Sequence, residues 1–292
     1  MFSNAYDTVK NFTRPVIFSR RFHDGRVSSG CGTFIVVNSD GWIATAAHII
    51  GELKLYETHM PEVADYNAQK AAIEADSGLK PSQKRKRVAR LNANPKWVIN
   101  QAIMWGSPKS VLVETYVDRL ADLAIGRLEP FDPKGIEGYP TFKDPSQPMP
   151  YGTSLCRLGY PFHEIRASFD EATSQFQLDP SVFPIPRFPN DGIHTRVVVV
   201  AAQDGSRTVK FIETSSPGLM GQSGGPVFDQ HGHIWAIQSS THCLPLGFSP
   251  SVQAGNQRIV EHQFMHLGRC SHVEELIRMM KENKVAFNLS GG

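Results

Sequence analysis

Apolar and polar positions alternate in short runs over the first fifty residues. VIFSRRF, CGTFIVV and WIATAAHII are rich in β-branched and aromatic residues and are separated by SSG and NSDG. Over residues 16–50 this predicts antiparallel strands and hairpins. The rhythm changes at 53–93. PEVADYNAQKAAIEADSG carries apolar residues at helical spacing among Ala, Glu, Gln and Lys, and PSQKRKRVARL opens on a proline suited to a first helical turn. One or two inserted helices are expected there. Strands resume in WVINQAIMWG and SVLVETYVDRLADLAIGRLE. The proline-rich stretch 131–150 then reads as a linker.

The second half repeats the strand pattern in SLCRLGYPF, in TRVVVVAAQ and TVKFIETSS around a glycine-containing turn, and in GGPVFDQ and HIWAIQSST split by HGH. A helix is expected over 271–284. Ser271 is its expected N-cap, in an S-x-x-E capping box with Glu274, and Val273, Leu276, Ile277 and Met280 form one apolar stripe for docking. The expected organisation is therefore a β-rich lobe at 1–130 with a helical insert at about 53–93, a linker at 131–150, and a second β-rich lobe at 151–292. No internal repeat of 20–50 residues is visible.

The 292 residues are 40 % hydrophobic and 20 % charged, the balance of a globular protein rather than a disordered chain. No apolar run approaches the roughly 18 residues of a membrane span, so no membrane partner is expected. The start, MFSNAYDTVKNFTRP, lacks the apolar core of a signal peptide. A cytoplasmic location is expected, with Cys31, Cys156, Cys243 and Cys270 as free thiols. There is no C-x-x-C pair. A formal charge of +2 argues against nucleic acid as partner, and the run Lys84 to Arg87 reads as a solvated helix face. No cofactor is called for. His231-x-His233 and His262-x3-His266 have ligand-like spacing, but no acid-rich helix frames either, so no metal site is expected.

Three segments carry chemistry. Thr45-Ala46-Ala47-His48 ends an apolar strand, Asp122-Leu123-Ala124-Ile125 places an acid before an apolar run, and Gly221-Gln222-Ser223-Gly224-Gly225-Pro226 lies between a turn and a strand. A serine hydroxyl needs a base to become a nucleophile. A histidine can be that base at neutral pH, and a carboxylate can orient the imidazole and stabilise its cation. Glycines beside Ser223 allow the amides of Gly221 and Ser223 to converge on a developing oxyanion. Asp118, four residues before Asp122, is a rival for the acid.

As a set, T-A-A-H, D-L-A-I and G-x-S-G-G-P resemble the signatures of the chymotrypsin-like (trypsin-like) serine peptidases, in the same order His, Asp, Ser. The resemblance covers about residues 16–270 outside the helical insert. It implies a mainly β fold of two Greek-key β-barrels with the site between them. It further implies His48 as general base, Asp122 as its orienting carboxylate, Ser223 as nucleophile, and Gly221 and Ser223 as oxyanion-hole donors. The implied activity is endopeptidase hydrolysis through an acyl-enzyme, on a restricted set of protein or peptide substrates. A peptidase fold kept as an inactive or gated binding module is the alternative.

The departures from the family pattern shape the finer expectations. Ile49 stands where secreted relatives carry the cysteine that would pair with Cys31, and Asp229 and Leu219 stand where partners of Cys156 and Cys243 would be. Gln222 replaces the Asp of zymogen-activated relatives, and no I-V-G-G-like start is present, so activation by N-terminal clipping is not expected. Gln222 is closer to the Asn of HtrA-like and staphylococcal-type enzymes, but a PDZ domain is not expected after Ser223. By the resemblance, Pro217 stands at the position of the base of the specificity pocket, where cleavage after Arg or Lys needs an anion; strict Arg/Lys preference is therefore not expected. Gln238, Ser239 and Ser240 match the strand edge that holds substrate backbone, and His242 is a further pocket candidate. The insert is expected to dock a regulatory protein or cover the cleft. G-Q-S-G-G also fits the elbow of α/β-hydrolases, but that fold places an apolar strand before the serine and its Asp and His after it.

Overall fold

The computed structural model describes residues 1–255 and 257–291. A first sheet is built from β1 (Thr13–Phe22), β2 (Val27–Val36), β3 (Trp42–Thr45), β4 (Val98–Trp105), β5 (Val111–Asp118) and β6 (Leu123–Glu129), in the order β4-β1-β2-β3-β6-β5. Beyond them come β7 (Thr141–Phe142), β8 (Ser154–Gly159), β9 (Ala167–Asp170), β10 (Gln175–Leu178), β11 (Phe188–Ala201), β12 (Thr208–Thr214), β13 (Pro226–Phe228), β14 (Ile234–Pro245), β15 (Ser251–Ala254), β16 (Gln257–Val260), β17 (Phe264–His272) and β18 (Asn288–Leu289). Six of these run β13-β8-β11-β12-β17-β14, and pairing of β13 with β14 closes the ring.

Numbered in chain order among themselves, the six strands of the first sheet and these six of the second both run 4-1-2-3-6-5. That is a Greek key, in which a fourth strand returns beside the first. The fold is thus the mainly β, chymotrypsin-like arrangement that the motifs implied. Sequence did not show the repetition, because the topology repeats while the residues do not.

Among the described residues five α-helices decorate the sheets: α1 (Ser3–Val9), α2 (Ala47–Leu53), α3 (Leu55–Ala75), α4 (Pro81–Val88) and α5 (Val273–Glu282). No described helix is long and apolar enough to cross a membrane. The helical insert begins at Ala47, earlier than its composition indicated. Among the described residues of α3 the buried side chain is Val63, and polar contacts do much of the helix's anchoring. Trp97 Nε1 donates to Glu62 at 2.5 Å, the Val98 amide donates to His59 Nδ1 at 3.0 Å, and Tyr66 packs edge-on to Trp97. Arg85, Lys86 and Arg87 lie exposed on α4.

The stretch 131–150 does more than join the sheets, since β7 within it pairs in parallel with β14 and β18. One core cluster runs through both sheets, from Val16, Phe34, Ile43 and Ile125 to Phe142, Phe228 and Ile234. Helix α5 adds Val273, Leu276, Ile277 and Met280 to it, each worth roughly 1.5–3 kcal/mol when fully buried. Helix α1, which the sequence reading did not find, contributes Ala5 and Val9 and sets Phe2 edge-on against Phe228.

The N-cap of α5 is His272, not Ser271. Strand β17 runs on through Ser271, whose hydroxyl donates to the Ala121 carbonyl at 2.5 Å. His272 Nδ1 accepts the Glu274 amide at 3.1 Å, so strand pairing displaces the expected capping box by one residue. Burial lowers the His272 pKa to about 4. Between that value and the ordinary 6.5 the unfolded chain binds the extra proton, so acid favours unfolding. Stability is expected to fall by about 2 kcal/mol from pH 6.5 to 4.5 through this residue alone. His272→Asn, which keeps a cap without titrating, should flatten that part of a urea-midpoint-against-pH curve.

Candidate active site

His48 sits in the first turn of α2, whose N-cap, Ala46, has no capping side chain. Asp122 supplies the cap from the turn before β6. Its carbonyl accepts the Ala47 amide at 3.1 Å and its Oδ1 accepts the His48 amide at 2.9 Å. A carboxylate is favoured at a helix N-terminus, where the amide dipoles point outward. The backbone of Asp122 is left-handed, with φ of 51°, and this turns the side chain back from the start of β6 toward His48. His48 Nδ1 then lies 2.9 Å from Oδ2 and 3.2 Å from Oδ1. The carboxylate holds the ring proton on Nδ1 and leaves Nε2 as an acceptor.

A second donor reaches Asp122 from the other sheet. Pairing of β14 with β17 slips at Ser239: Gln238 faces Cys270 and Ser240 faces Arg269. The extra residue is a β-bulge, which re-aims a side chain. Ser239 Oγ donates to Asp122 Oδ2 at 2.5 Å. This contact was beyond sequence reasoning, which assigned Ser239 to substrate backbone; no local signal marks a bulge there.

Burial disfavours the charged forms of both partners, but their mutual attraction wins. The His48 pKa is raised because burial of the ring is outweighed by the hydrogen bond and charge of Asp122. Asp122 is lowered because its own burial is outweighed by His48 and the Ser239 hydroxyl.

Ser223 is fixed by Thr33 of β2. The Thr33 amide donates to the Ser223 carbonyl at 2.9 Å, and Thr33 Oγ1 donates to the Gly221 carbonyl at 2.7 Å. The Gln222 carbonyl accepts the Gly225 amide at 2.9 Å. Because a trans peptide points its C=O and N–H in opposite directions, the Ser223 amide is turned away from that bond. Among the described residues, neither the Gly221 nor the Ser223 amide makes a hydrogen bond within the chain. Gly221 and Gly224 have φ of 96° and 82°, and a Cβ on either would run into backbone of Tyr160 or Thr33. Glycine is required at both positions. Buried Gln222 clasps the loop, its Oε1 accepting the Leu219 amide at 3.0 Å. Ser223 Oγ donates to the Ser239 carbonyl at 3.5 Å and, among the described residues, makes no hydrogen bond to His48.

Asp118, the rival acid, is elsewhere employed. It pairs with Arg207 and Arg278 and accepts the Leu120 and Ala121 amides, each at 3.1 Å. Pro217 lies within the segment before Ser223, its carbonyl held by Arg157, Gln238 packs against Gly218 of that segment, and Ser240 follows the bulge. His242 is exposed farther along β14, in a shallow cleft with Arg196, Glu213 and Arg269 whose lining includes none of His48, Asp122 or Ser223. His266 Nδ1 lies 3.1 Å from Cys243 Sγ, and His262 Nδ1 lies 3.1 Å from Ser249 Oγ. His233 faces Asp229 at 3.4 Å. Among the described residues no group of three or more His, Cys, Asp or Glu is arranged to hold a metal ion.

A family model described as a trypsin-like peptidase domain matches residues 32–237. Among solved structures, the chain is similar to the active form of the Rv3671c protease from M. tuberculosis, with 13 % identity and a TM-score of 0.48 over 99 % of this chain and 86 % of that one. It is also similar to the HtrA-type protease AlgW with a tripeptide, with 14 % identity and a TM-score of 0.47. That match covers 97 % of this chain and 63 % of the AlgW chain, less than two thirds of it. No curated protein sequence matches.

Proposed function

The chain belongs to the trypsin-like peptidase family and is by that membership a serine endopeptidase; within it, we propose that His48, Asp122 and Ser223 are the catalytic triad. The observation that carries the reading is the contact of His48 Nδ1 with Asp122 at 2.9 Å, linked through Ser239 to a serine whose own amide and that of Gly221 make no hydrogen bond among the described residues. His48 Nε2 takes the Ser223 proton as Oγ attacks the scissile carbonyl. The bond from Ser223 Oγ to the Ser239 carbonyl, at 3.5 Å, is long enough to give up readily for His48 when substrate docks. The oxyanion forms against the Gly221 and Ser223 amides, each worth roughly 3–4 kcal/mol. Asp122 stabilises the imidazolium, which then protonates the departing amine, and water hydrolyses the acyl-enzyme by the same steps in reverse. The substrates are a restricted set of proteins.

The Ser223–Ser239 bond favours one other reading, a peptidase fold held inactive. Fluorophosphonate labelling separates the two. Stoichiometric phosphonylation of the purified chain, lost in Ser223→Ala, supports the triad. An unlabelled wild-type chain, or a labelled Ser223→Ala chain, overturns it.

A further inference from the structure

Two walls adjoin Ser223: the 215–221 segment that leads into it, and β14 from Gln238 to Thr241, whose Ser239 carbonyl lies 3.5 Å from Ser223 Oγ. These walls are stitched together. Thr241 Oγ1 donates to the Gly218 carbonyl at 2.6 Å, across the opening. Behind it lies Gln238, 2 % exposed, with its amide packed so closely on Gly218 that not even a Cβ would fit there. That amide is itself held at both ends, Nε2 donating to the Ser240 carbonyl at 3.0 Å and Oε1 accepting the Cys270 thiol at 3.3 Å.

The floor is equally closed. Gly268 donates its amide to the Ser216 carbonyl at 2.8 Å, and a Cβ on it would meet Arg157 Nη2, Ser216 O and Thr214 Oγ1 at 2.6 Å each. Arg157 is 2 % exposed and donates to the carbonyls of Ser216 and Pro217 and to Thr214 Oγ1. Among the described residues it has no carboxylate in ion-pair contact. The segment before Ser223 therefore rests on a buried cation.

We propose that Gln238 and Thr241 set specificity by filling the space beside Ser223, so that the enzyme cleaves after glycine, alanine or serine and rejects larger side chains. This deepens, and rests on, the assignment of Ser223 as nucleophile. Lys and Arg are excluded twice, by size and by the charge of Arg157. Size discrimination in such a pocket is an exclusion effect: a large side chain must break the Thr241–Gly218 bond and displace a buried, doubly bonded amide.

The test is a set of peptides varied only at the residue on the acyl side of the cleaved bond. Wild type should show kcat/KM for Ala at least about tenfold above Leu, Phe, Glu or Arg. Thr241→Gly removes the bond across the opening, and Gln238→Ala empties the space behind it. Each should raise the Leu-to-Ala ratio by about tenfold or more. Thr241 is exposed, so its variant reads out even where the buried Gln238→Ala fails to fold. A wild-type chain that reacts with fluorophosphonate yet prefers Leu, Phe, Glu or Arg overturns this inference and leaves the triad standing. An unchanged ratio in Thr241→Gly overturns it as well. A wild-type chain that does not react overturns both.

Discussion

Ser223→Ala is expected to lower kcat by about 10⁶, and Asp122→Asn by about 10⁴. The two losses have different causes. Without the hydroxyl there is no nucleophile, and only binding and the oxyanion amides remain. With Asn at 122 the nucleophile stays, but the amide presents an N–H where His48 needs an acceptor, which favours the tautomer with its proton on Nε2. The pH dependence separates the roles. As the proposed general base, His48 must be neutral to act, and its raised pKa places the acid limb of kcat/KM above the ordinary 6.5. Asp122→Asn removes the two largest causes that raise the value, leaving the burial that lowers it and the weaker pull of Glu52, so the limb should move to lower pH. An acid limb unmoved in Asp122→Asn would show that Asp122 is not the orienting group.

Asp118→Ala is expected to cost roughly 3–4 kcal/mol of folding stability, read as a fall in the urea midpoint at constant m. The Asp118 carboxylate is buried and joins three parts of the molecule: β5, the turn after β11 through Arg207, and α5 through Arg278. Both arginines remain about one-third exposed, so they recover hydration in the variant and the loss sits at the low end for a broken buried pair. The Leu120 and Ala121 amides lose their acceptor as well. These precede Asp122, so kcat should fall too, by far less than in Asp122→Asn. Burial works to raise the Asp118 pKa, but the bond to Arg207 and the Ala121 amide outweigh it and the value is lowered. A depressed carboxylate contributes stability that is present above about 3.8 and is lost as pH falls through its folded value. That acid-side loss should be smaller in Asp118→Ala. A change below about 1 kcal/mol would contradict the joint role.

Several features were legible because they are written in neighbouring residues. Strand character follows from β-branched and aromatic runs between turns, and the face of α5 follows from the spacing of Val273, Leu276, Ile277 and Met280. The three segments bearing His48, Asp122 and Ser223 stand out because nucleophile, base and acid each need a particular residue type. Helix α1 escaped because seven residues with two buried positions carry too little periodic signal. The capping residue of α5 was missed by one because β17 keeps its ladder through Ser271, and a ladder bond outranks a local capping preference.

By itself, then, the chain's local order determined the β-rich architecture, the helical insert and the identity of the candidate chemical groups. Folding decided their relations. Thr33 reaches Gly221 across 188 residues, the bulge at Ser239 turns its hydroxyl onto Asp122, and Thr241 ties β14 to Gly218. Side-chain patterns report which face is buried within one strand or helix turn. Which distant group occupies the other side of that face depends on strand order and register, and these are settled only when the two sheets close around a common core.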